Sequence, residues 1–252
     1  MIGRLAVVFA LAGAMPAAAQ TPSVDILTRY SFHLNAEHLS GTDPLFVWDA
    51  NFGGELDLVD YGAGRATFVA NYQAILGEQL RRFDPNQGNY ILGASVSGRA
   101  AGVEIAGVFH HESRHLSDRV KRQPVDWNMA GARISTSRTG GRVRVDVRAD
   151  VRGVVQKSFV DYRWEVDSEA RSRVTLRDRL ALVAAGGVRV IGVDGSRSRG
   201  TQNGFRGEAG LRVEGSGAAV ELFVAGERRI DPYPLEFSTA SWITTGFRLL
   251  SR

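Results

Sequence analysis

The 252-residue chain contains no cysteine. That excludes a disulfide framework and a lipoprotein anchor at a cleavage site, and it leaves stability to backbone hydrogen bonds and packing. Also missing is any run of roughly 20 apolar residues, the length a membrane-spanning helix needs. The apolar run from Leu5 to Ala14 is too short to span. It follows Arg4 and precedes Met15, Pro16 and the small residues Ala17, Ala18 and Ala19. This is the pattern of a secretory signal peptide over 1–19, cut between Ala19 and Gln20, with the mature domain at 20–252. Convincing helical periodicity is scarce as well, and a mean hydropathy of −0.13 conceals any membrane character from a helix-based reading. A net charge of +4 suggests nucleic acid at first sight. The arginines, however, are scattered at alternate positions and opposed by Asp and Glu, which predicts ion pairs on an inward face.

What is present is strict alternation. From Arg142 to Val155 the chain reads RVRVDVRADVRGVV. Val143, Val145, Val147, Ala149, Val151, Gly153 and Val155 share one face of an extended strand, and Arg142, Arg144, Asp146, Arg148, Asp150 and Arg152 share the other. With few helices to cover the valines, a closed barrel in a bilayer accounts for both faces: hydrocarbon outside, charges in the lumen. A soluble periplasmic sheet protein is the rival architecture. Similar segments fall at about 24–35, 46–59, 65–77, 89–99, 103–113, 127–137, 142–155, 162–173, 179–192, 203–214, 218–228 and 240–250, which predicts an all-β, twelve-stranded antiparallel transmembrane barrel. Outward rows include Val24, Ile26, Tyr30, Phe32 and Leu34; Tyr90, Leu92, Ala94 and Val96; Phe205, Ala209, Leu211 and Val213. The segment from Leu180 to Ile191 alternates poorly. Short glycine-rich turns at 62–64, 100–102, 139–141 and 215–217 are expected in the periplasm. Longer connections near 36–45, 80–88, 114–126, 193–202 and 229–239 are expected at the cell exterior, which places the protein in a bacterial outer membrane. Trp48, Trp127, Trp164 and Trp242, with Tyr30, Tyr90 and Tyr162, suit interfacial girdles.

One outward row carries chemistry. In VEIAGVFHHES the outward positions are Val103, Ile105, Gly107, Phe109, His111 and Ser113, and the inward ones Glu104, Ala106, Val108, His110 and Glu112. An imidazole and a hydroxyl facing hydrocarbon are costly without a use. On the returning segment the outward row is Asn128, Ala130, Ala132 and Ile134, so Asn128 faces the same way as His111. A hydroxyl, an imidazole to take its proton and an amide to orient the imidazole make an activated nucleophile. His110 and His115 with Glu112 or Asp118 could bind metal, but they lack a fixed ligand spacing and read more simply as a solvated loop. Charged inward rows could line a narrow pore; opposite charges can instead pair and fill the lumen.

His111-Glu112-Ser113, followed across one hairpin by Trp127-Asn128, resembles the outer-membrane phospholipase A family. That family's twelve-stranded barrels carry a His-x-Ser pair and a downstream Asn as a lipid-facing triad. The resemblance in motif covers about 107–134. It implies Ser113 as nucleophile, His111 as general base, Asn128 as orienting group, membrane lipid as substrate, calcium as cofactor and a homodimer. The chain departs from the family pattern at Arg114-His115, where the family has Asn-Gly, and in a somewhat longer loop before Asn128. HESRHLSD, residues 111–118, also resembles an uncharacterised bacterial envelope family with His-x-Ser-x-His-Leu-x-Asp. Lipid A deacylases share His-x-Ser but use a downstream acid, for which Asp126 is the nearby candidate. A non-catalytic barrel, either a narrow pore or a structural surface protein, is the competing expectation.

Overall fold

The computed structural model describes residues 24–120 and 123–251. The expected signal peptide at 1–19 and the C-terminal Arg252 lie outside the described residues. The described chain is all β, and its twelve strands are β1 (Asp25–Leu39), β2 (Trp48–Asp60), β3 (Arg65–Gly77), β4 (Asp84–Ala100), β5 (Val103–Leu116), β6 (Asp126–Gly140), β7 (Val143–Ser158), β8 (Tyr162–Arg177), β9 (Leu180–Val193), β10 (Gln202–Glu214), β11 (Ala218–Ile230) and β12 (Thr239–Ser251). Each pairs antiparallel with its sequence neighbours, and β1 closes on β12 from His33↔Leu250 to Leu39↔Thr244. Closure pairs β1 with β12 from His33 onward, so the backbone there is satisfied within the sheet, while Asp25 to Phe32 of β1 pair with β2 alone.

All twelve expected segments are strands. Most run further at the end that carries the long connections; β4 begins at Asp84 rather than near 89, in a stretch where Asp84, Asn86, Gln87 and Asn89 are buried polar residues rather than an alternating row. At the opposite end the turns are tight. Ala100 pairs with Val103, and both intervening residues, Ala101 and Gly102, have positive φ. That is the backbone sign pattern of a type I′ hairpin, whose twist matches that of the flanking strands.

Parity behaves as alternation demands. Val143, Val145, Val147, Val151 and Val155 are exposed on the outer wall, while Asp150 and Arg152 are buried in the lumen. Inside, ion pairs cross between strands. Arg133 reaches Asp150 at 2.9 Å, Arg248 reaches Glu208 and Glu221 at 2.9 Å each, and Arg206 reaches Glu37 at 2.9 Å. The weak alternation of β9 has a steric cause in this network. Its inward row is Ala181, Val183, Ala185 and Gly187, and Ala185 stands in register between Arg171 and Glu208. The Arg171 guanidinium passes over that small residue to bond Glu208 at 3.1 Å and also meets Glu221. A large side chain at 185 would stand in its path.

The girdle expectation needs correction. Tyr30, Tyr90 and Trp164 are exposed on the outer wall, but Trp127, Trp242 and Tyr162 are buried inside. Trp127 and Tyr162 pack edge to face at 5.1 Å within a cluster of Val125, Met129, Val160, Ile191 and Ile230. Trp242 packs with Leu39, Phe46 and Ile75. These residues sit toward the long-connection end, where apolar side chains pack in the lumen among buried charges such as Arg114 over Trp127 and Arg229 over Trp242. Above them Arg199 ties Asp161 to Asp231 (2.5 and 2.7 Å), and Tyr162 donates to Asp231 at 2.7 Å. At the same end Lys157, at the close of β7, and Ser196 hydrogen-bond Asp194 and hold its carboxyl well below the usual carboxylate range. The long-connection end is thus packed and cross-linked.

Candidate active site

Strands β5 and β6 form a hairpin whose register places His111 opposite Asn128 and Ser113 opposite Asp126. The odd residues of β5 and the even residues of β6 look outward, so Phe109, His111, Ser113, Asn128 and Ala130 share the lipid-facing wall, the three polar members half-buried among their neighbours. One row runs straight across four strands: Leu92 on β4, His111, Asn128, and Gln156 on β7.

Within that row His111 Nδ1 and Asn128 Oδ1 are 2.7 Å apart. Asn128 Nδ2 donates to Gln156 Oε1, and Gln156 Nε2 donates to Asp126 Oδ1 at 3.2 Å. With Nδ1 engaged, Nε2 is the nitrogen of His111 left to accept a proton. Ser113 follows two residues along on the same face; among the described residues no hydrogen bond joins its hydroxyl to the imidazole. Such contacts often tighten only when substrate is bound. Next to Ser113, Tyr90 faces it in register, and its ring meets His115 edge to face at 5.4 Å. The backbone N–H that follows Ser113, that of Arg114, already donates to Val125 O at 2.8 Å. It is therefore occupied by the ladder and supplies no oxyanion donor in this arrangement.

Behind the site the inward residues of the hairpin form a buttress. Glu112 accepts from Arg114 at 2.9 Å, and Arg189 approaches Glu112 at 3.5 Å and Glu165 at 2.7 Å. Arg114 also lies over the Trp127 ring at 5.3 Å. His110 and Glu112 therefore belong to the lumen wall and His115 to the outer wall, contrary to the expected solvated loop, and the strand separates them into no common ligand set. Asp118 pairs with Arg81 outside the strands at 2.9 Å. Among the described residues no group of three or more His, Cys, Asp and Glu could hold a metal. The carboxylate nearest Ser113, Asp126, is already an acceptor for Gln156. These side chains do not fit a calcium ion, and no step is assigned to one.

Sequence reasoning missed Gln156. By parity it belongs to the inward row, with Arg152 and Val154. A β-bulge between the Asn128↔Gln156 and Met129↔Val154 pairs inserts one extra residue, so Val155 and Gln156 are both exposed. A bulge re-aims a side chain and leaves little trace in an alternating sequence. The polar pair Gln156-Lys157 after an unbroken apolar row is the only hint.

No protein-family model matches the chain, and no curated protein does. Among solved structures the barrel is similar to the outer membrane phospholipase of Salmonella typhi, a dimer with bound calcium. The identity is 12%, coverage is 88% of this chain and 90% of that chain, and the TM-score is 0.55. It is similar too to outer membrane phospholipase A from Escherichia coli, at 12% identity, 91% and 98% coverage and a TM-score of 0.54. At that identity the likeness concerns the fold, which is that of a bacterial outer-membrane barrel.

Proposed function

We propose that this barrel is a lipid acyl-ester hydrolase of the outer membrane, working from its lipid-facing wall. The observation that carries the reading is the 2.7 Å contact between His111 Nδ1 and Asn128 Oδ1 on the outside of the barrel, with Ser113 beside it on the same face. In the proposed reaction His111 Nε2 takes the Ser113 proton as Oγ attacks the acyl carbonyl. The imidazolium then returns that proton to the leaving alkoxide. Water, activated by the same nitrogen, releases the fatty acid from the acyl-enzyme. Asn128 keeps the imidazole ring in place throughout. The site lies at the end of β5 nearest the long connections, which we assign to the outer-leaflet rim, where a lipid ester reaches it laterally without a soluble phase. The Salmonella typhi relative was solved as a dimer with bound calcium. A homodimer is proposed here, to be read from the oligomeric state in detergent, whereas calcium is not, because the side chains beside Ser113 do not fit it, and a chelator should leave activity unchanged.

The lumen does not favour the pore alternative, since opposite charges pair across it and two apolar clusters pack inside it toward the long-connection end. The test is acyl release from phospholipid vesicles carrying the refolded protein. Release that disappears in Ser113→Ala and His111→Ala is expected. Equal release from Ser113→Ala, or ion conductance without any hydrolysis, would overturn the reading.

A further inference from the structure

The outer-wall chain Asp126–Gln156–Asn128–His111 has a direction, and that direction follows from its first member. A carboxylate only accepts hydrogen bonds, so Asp126 requires the Gln156 amide to turn its Nε2 toward it. Gln156 then offers Oε1 to β6, which requires Asn128 to present Nδ2 there and Oδ1 to His111. Flipping Asn128 alone would set its oxygen against Gln156 Oε1. Flipping both amides would set Gln156 Oε1 against the carboxylate. One direction alone avoids acceptor against acceptor, and in it the imidazole must donate from Nδ1 and keep its lone pair on Nε2.

We propose that Asp126 and Gln156 are positioning residues which impose the Nδ1–H tautomer on His111 by fixing the orientation of the Asn128 amide. Neither touches the reacting atoms. The catalytic meaning of the proposal rests on the hydrolase reading; the tautomer does not. An amide alone is a poor orienter, because it can hold an imidazole by either end, whereas a carboxylate in that place could not. Here the carboxylate stands two links away, and the intervening amides transmit its acceptor character along the wall. Asp126 pairs in register with Ser113, so one carboxylate stands beside the hydroxyl and governs the imidazole through the row behind it.

The experiment is 15N NMR of histidine-labelled full-length protein in detergent micelles, with His111 assigned by its loss in His111→Asn. In the native chain, His111 is expected to show a protonated δ1 and an unprotonated ε2 nitrogen. Asp126→Asn lets the terminal group donate as well as accept, so the second tautomer should appear. The double variant Asp126→Asn/Gln156→Glu moves the carboxylate one link closer and should restore the native pattern. If the native protein hydrolyses lipid, kcat should fall about two- to tenfold in Asp126→Asn with KM unchanged, in step with the tautomer population, and recover in the double variant. An unchanged tautomer in Asp126→Asn, or no recovery in the double variant, refutes the relay. Should Asp126→Asn not fold, Gln156→Leu cuts the same chain and gives the same reading. Hydrolysis absent from the native protein, with the tautomers behaving as described, would remove the hydrolase reading and leave the relay standing.

Discussion

The two faces of the β5–β6 hairpin both carry polar residues, for opposite purposes. On the inward face Glu112 is paired with Arg114 on its own strand and approached by Arg189 of β9, Arg133 is paired with Asp150 of β7, and Trp127 and Met129 pack among buried side chains from the rest of the wall. On the outward face the neighbours of His111, Ser113 and Asn128 are Leu92, Phe109 and Ala130, and the polar groups bond along one row to Gln156 and Asp126. Inside, each polar group answers another that folding has buried. Outside, lipid would have accepted apolar residues at every one of those positions, so the outer row has no packing reason to exist.

Trp127→Ala tests the inward half with the largest expected effect. Trp127 is 0% exposed and supports Tyr162, Arg114 and the apolar cluster. Its removal should cost about 3–5 kcal/mol, read from urea titration of folding into detergent or lipid and from loss of heat-modifiable migration. A loss below about 1 kcal/mol, the ordinary scale of a point substitution, would mean that the long-connection end is not packed as described. Ala132→Arg comes next. One step along from Arg133, which sits in the lumen against Asp150, Ala132 faces out at mid-strand. The same side chain that is native at 133 should cost about 2–4 kcal/mol at 132, as a cation at the bilayer midplane does. If the substitution is silent, the outer wall does not face hydrocarbon.

Much of this contrast is visible in the bare sequence, because period-two alternation is a property of single strands. The valine and arginine rows of β7, the outward placement of His111, Ser113 and Asn128, and the pairing of inward charges all follow from parity. Three features do not, and each depends on contacts between strands distant in sequence. The girdle expectation set aside parity, which with Asn128, Ala130 and Ala132 outward already turns Trp127 inward; what parity does not show is the apolar clusters in the lumen that take Trp127, Tyr162 and Trp242. The small inward row of β9 looked like failed alternation, yet Ala185 is small because Arg171 must pass over it to reach Glu208. Gln156 was hidden by a bulge that shifts the phase of β7 by one residue. The fold was therefore legible strand by strand, and the imidazole–amide pair along with it. The relay that orients the pair was not.

The smallest expected effect distinguishes the two faces most sharply. If His111 and Asn128 contributed to folding as Glu112 and Arg114 do, replacing either would leave a buried partner exposed to an unmade bond. The chain they belong to lies on the outer wall, however, and its remaining members can turn toward the headgroup region when it is cut. His111→Ala and the double variant His111→Ala/Asn128→Ala should each shift stability by less than about 0.5 kcal/mol, the range of surface substitutions that carry no structural duty. Urea titration alongside Trp127→Ala on the same hairpin provides the internal scale. A stabilisation would make the contrast stronger still, since an apolar side chain against lipid removes a desolvation cost the native residues bear. A destabilisation of 2 kcal/mol or more, the scale of an unsatisfied buried polar group, would show that the row is structural and that its resemblance to a nucleophile with its base is incidental.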